Sequence, residues 1–308
     1  MLPACNKSEK TGETRSGDAD LQGTISISGA FALYPLTVKW AEEFRKLHPR
    51  VRIDISAGGA GKGMADALSG TVDLGMFSRE IMPAEKERGV WWLAVTKDAV
   101  LPTISAENPV LRKLQQQGLT RAQFQAIFMD RSVTDWGELT GTGRQGPINV
   151  YTRSDACGAA GTWARYLDGF QEDLNGVGVY ADPGLADAVK KDPLGIGYNN
   201  TIYIYSAKTN LKYPGLEVIP IDVNGNGCID PEEDFYKSMT KVMAAIASGR
   251  YPSPPARELY FVAKGKPESR LVCEFLIWIL NDGQSYVSKA GYVPLPGKLI
   301  SSELQKLH

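Results

Sequence analysis

Four short segments of this 308-residue chain carry residues suited to holding an anion. They are Ser28-Gly29-Ala30-Phe31-Ala32, Ala57-Gly58-Gly59-Ala60-Gly61-Lys62-Gly63, Met76-Phe77-Ser78-Arg79 and Arg153-Ser154-Asp155-Ala156-Cys157-Gly158-Ala159. Each sits where a strand pattern hands over to a helix pattern. The first turn of a helix leaves N–H groups without partners, and small residues let a ligand approach that backbone. Arg79 and Arg153 add guanidinium forks that match an oxyanion. The chemistry predicted is anion capture, not bond making.

A second cluster has the spacing of metal ligands. In Asp222-Val223-Asn224-Gly225-Asn226-Gly227-Cys228-Ile229-Asp230-Pro231-Glu232-Glu233, every diagnostic position of a twelve-residue EF-hand-like loop is filled. Asp222, Asn224 and Asn226 offer side-chain oxygens, Gly227 allows the sharp turn, and Cys228 offers its carbonyl. Asp230 and Glu233 complete the set. The bland reading is a helix start with Asp230 as cap and Pro231 in the first turn. It accounts for the second half of the loop and not for the oxygens that alternate up to Gly227. The expectation is one structural Ca2+, entered from a strand at Val218 to Ile221 and left by a helix from Pro231 to about Ala247.

Other chemistries are poorly supplied. His48 and His308 are the two histidines, one at a helix end and one C-terminal, so a histidine-based triad or zinc site is nearly excluded. Cys5, Cys157, Cys228 and Cys273 have neither metal spacing nor a disulfide-scaffold pattern. Cys157 in a helix-start turn could be a lowered-pKa nucleophile, which leaves a Cys-dependent enzyme as a rival reading. With 34 basic and 35 acidic residues the net charge is -1, which gives no reason to expect nucleic acid as a partner.

The elements that must position these residues follow from periodicity. Thr24–Ser28, Val51–Ile55 and Val72–Met76 read as strands separated by helices at Tyr34–Leu47 and from the second glycine turn to Leu68. Trp91 and Trp92, expected in the core, begin an apolar stretch through Ile104. A helical pattern runs from Leu111 to Phe128, and Ile148–Thr152 leads into the fourth segment. Gly195–Tyr198, Leu216–Ile221 and Leu259–Ala263 read as strands, followed by a helix at Leu271–Leu280. Alternating strands and helices predict an α/β fold with mainly parallel sheets, long enough for two domains.

At the start, Leu2-Pro3-Ala4-Cys5 has the form of a bacterial lipobox, and Asn6 to Asp20 is polar and tether-like. The expectation is a lipid anchor on Cys5 and residues 1–21 as a disordered tether, in a membrane-anchored lipoprotein on the periplasmic or extracellular face. An initiator methionine with a plain leader is the alternative.

Taken in order, the blocks resemble the phosphate-binding component of bacterial ABC importers, a two-lobed type II periplasmic binding-protein family. Gly29 to Leu36 resembles its opening glycine turn. Gly58 to Gly63, Gly70-Thr71-Val72-Asp73-Leu74-Gly75 and Ser78-Arg79 resemble its next blocks. Asp135-Trp136-Gly137-Glu138-Leu139, Gly195-Ile196-Gly197-Tyr198, Gly283-Gln284 and Gly291-Tyr292-Val293-Pro294-Leu295 resemble later ones. The resemblance implies no enzyme, a small oxyanion ligand (most simply phosphate), a membrane ABC permease as partner, and a monomer. It implies lobe 1 at 22–102 plus 262–308 and lobe 2 at 103–261, with crossings near Pro102 and Phe261. The ligand-binding positions are then Ala30, Phe31, Ala32, Ala60, Gly61, Ser78, Arg79, Arg153, Asp155, Cys157, Gly158 and Ala159.

Several of these depart from the family pattern. Ala30, Phe31 and Ala32 stand where Ser-Ser-Thr is expected, and Ala60 where Ser is expected. In the ungapped reading Cys157 and Ala159 replace Ser and Thr; a gapped reading through Thr162 keeps the threonine. A hydrogen bond to a charged partner is worth about 1.5–3 kcal/mol, so three lost hydroxyls cost about 10³–10⁶ in affinity unless amides compensate. A different oxyanion or small carboxylate is therefore the alternative ligand. Asp155 is the candidate proton acceptor, or else a helix cap.

Overall fold

The computed structural model describes residues 21–307. Nine strands form one mixed sheet: β1 Gly23–Gly29, β2 Val51–Ala57, β3 Leu74–Phe77, β4 Val90–Ser105, β5 Asn149–Arg153, β6 Val177–Val179, β7 Gly195–Asn200, β8 Leu216–Val218 and β9 Ala256–Lys264. The order is β2-β1-β3-β9-β4-β7-β5-β6, with β8 on β4. β2, β1 and β3 run parallel, as do β7, β5 and β6, while β4 and β9 join the two halves antiparallel. This is the expected α/β architecture of mainly parallel halves.

Two hydrophobic cores lie on either side of the joining strands. In the first, Leu36, Trp40 and Phe44 project from the helix α1, Tyr34–Leu47, and Phe44 meets Phe275 edge-on at 5.1 Å. In the second, Trp163 packs among Phe124, Phe128 and Tyr198 at 5.2–6.0 Å. Val95 and Leu259 belong to the first core, Ala99 and Ala256 to the second. The crossings therefore fall at 96–98 and 257–258, several residues before the expected Pro102 and Phe261. The apolar run through Ile104 hides the switch, because β4 is buried on both sides of it.

Three further expectations are corrected. The Leu111–Phe128 pattern is two helices, Leu111–Gln117 and Arg121–Phe128, interrupted at Gly118 and restarted by the Thr120 cap. The helix expected from Pro231 begins only at Met239, where the Ser238 side chain caps it; Pro231–Glu233 is a turn. Trp91 and Trp92 lie half-buried against the first core, with Lys86 and Lys306 over the Trp92 ring.

The glycine turns of the first half also pack. The helix α2, Ala60–Ser69, crosses β1 and β3 backbone to backbone. A Cβ at Gly29 would lie 2.3 Å from the Met76 carbonyl and 2.8 Å from Gly63 Cα, at a φ of +131°. Gly70, at φ +74°, closes the same helix into open space. Gly29→Ala is therefore expected to cost about 2–5 kcal/mol from strain and overpacking together, and Gly70→Ala about 1–2 kcal/mol. Equal losses in denaturant unfolding would show that close approach is not what Gly29 provides.

Candidate functional site

The four glycine segments converge where the two halves face each other. Gly61 N–H donates to the Ala156 carbonyl at 3.1 Å across the gap, and the Tyr203 hydroxyl donates to the Phe31 carbonyl at 3.0 Å. Gly158 abuts Ser78 so closely that a Cβ would fall 2.1 Å from its Oγ. The lobes thus meet along the segments that the sequence singled out.

Not every amide there is available. Gly58 and Gly59 donate to the Gly29 carbonyl, and Ala30 donates to Met76. The amides of Phe31, Ala32, Ala60, Gly158 and Ala159, and the Ser78 hydroxyl, have no hydrogen-bond partner among the described residues. Ala60 and Gly158 open α2 and the Gly158–Tyr166 helix, so three of these donors, with Ala159, lie at helix starts. Unpaired donors of this kind are what an acceptor-rich anion requires.

Arg153 ends β5 with its side chain fully buried. Its Nε and Nη2 donate to the two Asp155 oxygens at 2.8 and 2.6 Å, and Nη1 donates to Asp182 Oδ2 at 2.5 Å. Three of its five N–H donors are used and two are not. Burial opposes the charge, but Asp182 and Asp155 outweigh it, so the guanidinium pKa is raised. The ring of Phe31 lies 5.7 Å from the guanidinium and edge-on to Tyr180 at 6.1 Å.

Asp155 is placed as the partner of Arg153 and also accepts from Ala181 N–H, so its oxygens are engaged. Arg79 is held at the rim by both oxygens of Glu85, at 2.7 and 3.0 Å, over the Phe77 ring. Cys157 caps its helix, its Sγ accepting from Ala160 N–H at 3.3 Å. Burial pushes its thiol up to about 12, against the pull of Arg153, which is the opposite of a nucleophile's environment. Thr162 accepts from Arg257.

Several contributors carry no signal in the sequence. Asp182 and Asn200 are almost wholly buried beside Arg153, and Gln171 ties the Asp155–Cys157 turn through both ends of its amide. They come from distant segments and have common residue types, so spacing could not reveal them. A groove of about 830 Å³ lined by Arg131, Asp135, Glu138 and Arg144 opens beside the start of β5, at the end of that strand opposite Arg153.

The Asp222–Glu233 loop stands apart from the cleft. Asp222 accepts from Gly225 and Gly227 N–H at 2.8 and 2.9 Å, and Glu233 accepts from Val223 N–H at 2.9 Å. Asp230 accepts from the Asn224 and Asn226 side chains at 2.8 and 2.9 Å. Among the described residues no three His, Cys, Asp or Glu side chains share one metal centre. Asp222 and Glu233 are nonetheless 3% and 8% exposed. No cationic side chain pairs with either among the described residues. Cys5 lies outside the described residues.

A family model described as a PBP superfamily domain matches residues 14–282. The phosphate-binding protein PstS of Pseudomonas aeruginosa is 28% identical, over 93% of this chain and 88% of that relative. A Clostridium perfringens protein solved with bound phosphate overlays with a TM-score of 0.73 at 22% identity, covering 89% of this chain and 100% of its own. An ABC-type phosphate transport receptor from Vibrio cholerae overlays at 0.65 with 18% identity, covering 88% and 100%. At such identities the overlays speak for the fold.

The buried cap position of Cys157 sets an expectation for its reactivity. At pH 8 a thiol with a pKa near 12 is thiolate in about one molecule in ten thousand. Iodoacetamide should therefore label the exposed Cys228 of the native protein and spare Cys157, as peptide mass spectrometry would read. Rapid native labelling of Cys157 would revive the nucleophile reading.

Proposed function

We propose, for a chain that belongs to the PBP superfamily, capture of an oxyanion between two lobes and its delivery to a membrane permease of the ABC type, with phosphate as the ligand. The observation that carries this reading is the set of unpaired donors around Arg153: five backbone amides, the Ser78 hydroxyl and two remaining guanidinium N–H groups. The free amides of Phe31, Ala32, Ala60 and Ala159 replace hydroxyls missing at those positions, because an amide donates whatever side chain it bears; the Ala30 amide is already used by Met76. The role proposed is binding without transformation of the ligand, in keeping with the PBP superfamily match. It acts outside the cytoplasm as a monomer held by a lipid on Cys5; no described helix is long and apolar enough to cross a membrane.

The Phe31 ring over Arg153 favours a second reading, in which the anion carries an apolar substituent. A thermal-shift panel of phosphate, sulfate, arsenate, molybdate and small organic anions separates the two. At a hundred times the dissociation constant the bound ligand should stabilise the protein by about 2.7 kcal/mol. A shift with another anion and none with phosphate would remove phosphate and leave the fold untouched. Ser78→Ala should weaken phosphate binding about 10- to 150-fold, the worth of one hydrogen bond to a charged group, by calorimetry. An unchanged affinity would place the anion elsewhere.

The Asp222–Glu233 loop is proposed to hold one structural Ca2+. Its donors are all oxygen, as a hard cation requires, and two buried carboxylates without a cationic partner favour a counter-ion there. Chelator should lower the melting temperature, added Ca2+ should restore it, and Asp222→Asn should abolish the difference. Indifference of the wild-type protein to chelator would refute the site.

A further inference from the structure

The strands that join the lobes carry an ion pair at the crossing itself. Asp98 on β4 and Arg257 on β9 are register partners. Arg257 Nε donates to Asp98 Oδ1 at 2.9 Å and Nη2 to Oδ2 at 3.3 Å, and both side chains are almost wholly buried. The remaining donors of Arg257 leave the strands. Nη1 donates to Thr162 Oγ1 at 3.0 Å, on the Gly158–Tyr166 helix, and Nη2 donates to Asn200 Oδ1 at the end of β7.

From Asn200 the chain of contacts continues to the anion site. Its Nδ2 donates to Asp182 Oδ1, and Asp182 Oδ2 accepts from Arg153 Nη1. Arg153 in turn grips Asp155, which adjoins Gly59 of the other lobe: a Cβ there would lie 2.9 Å from Asp155 Oδ2. Asn200 uses its oxygen toward an arginine and its nitrogen toward a carboxylate. A flipped amide would set nitrogen against guanidinium and oxygen against carboxylate, so its orientation is fixed. The series Asp98–Arg257–Asn200–Asp182–Arg153–Asp155 thus runs unbroken from the crossing strands to the cleft.

We propose that Arg257 is a positioning residue that makes the aim of the Arg153 guanidinium depend on the angle between the lobes. This rests on the oxyanion-binding reading of the cleft. Arg257 lies in the short stretch between the two cores, whereas Thr162 and Asn200 belong to the second lobe. The guanidinium is planar, and its donors reach Asp98, Thr162 and Asn200 together in one relation of β9 to that lobe. Rotation about 96–98 and 257–258 breaks part of the set, frees Asn200, and loosens the carboxylate that orients Arg153. Closure and correct aim are then one event, and an anion held by Arg153 favours the closed arrangement by its differential affinity.

The test uses the full chain, inorganic phosphate, and paired spin labels on exposed positions of the two lobes. Arg257→Lys keeps the charge beside Asp98 and loses the fork. It should weaken phosphate binding at least tenfold, broaden the interlobe distance distribution without ligand, and fail to reach the wild-type closed distance with ligand. Thr162→Val removes one contact and should act in the same direction by about threefold, which keeps the question open to measurement if Arg257→Lys folds poorly. Wild-type affinity and wild-type distances in both variants would overturn the proposal. If the wild-type protein binds no phosphate, the oxyanion reading fails by itself. The ligand-free distance distributions still decide the positioning role, since identical distributions in wild type and variants overturn it.

Discussion

A fully buried guanidinium at the junction of two lobes is the constraint on which most of the cleft depends. Removing an ion of that size from water costs several kcal/mol even after relaxation, and the cost is met only by close, well-aligned countercharges. Arg153 has them in Asp155, two residues along the chain, and in Asp182, which opens the Asp182–Lys191 helix. Burial pushes the Asp182 carboxyl up while Arg153 draws it down, so each group is held in place by the other. Breaking such a pair from one side leaves the other charge stranded. That is why the surrounding turn is tied down by Gln171, Tyr198 and Asn200.

The glycines follow from the same geometry and serve two purposes. Gly29, Gly63 and Gly75 let α2 lie directly on β1 and β3, where side chains would collide with carbonyl oxygens at 2.3–2.5 Å. Gly158 serves the lobes, giving Ser78 its place against the opposite helix start. Both uses look alike in sequence, as small residues before a helix. Both uses hold the helix starts in place, the first within one half and the second across the two halves.

Much of the fold was legible because periodicity reports burial. β1, β2 and α1 were found within a residue or two, and the apolar run across β4 was visible although the lobe switch inside it was not. Gly118 does not show as a break in the sequence, because a helical pattern tolerates a lone glycine. Asp230 and Pro231 promised a helix that starts only at Met239, because ring-like hydrogen bonding within the loop competes with helical turns. Of the site, Arg153, Ser78 and the helix starts could be read from local sequence. Asp182, Asn200 and Arg257 could not, since their meaning comes only from pairings across the sheet.

The missing hydroxyls weigh less than a count of side chains suggests. A serine or threonine donor must first be fixed in one rotamer, and its hydroxyl can turn away to bond the backbone instead. The amides of Phe31, Ala32, Ala60, Gly158 and Ala159 are already fixed by the helix starts and turns that bear them. Their ordering is completed when the chain folds, so an anion need not organise them. Replacing hydroxyls by Ala, Phe and Cys therefore removes donors that were costly to hold and leaves those that fold-level packing holds already. On the proposed binding reading, what the cleft loses is adaptability: rigid amides fit one arrangement of acceptors well, and ligand choice would pass to the shape set by Phe31 and to the aim of Arg153.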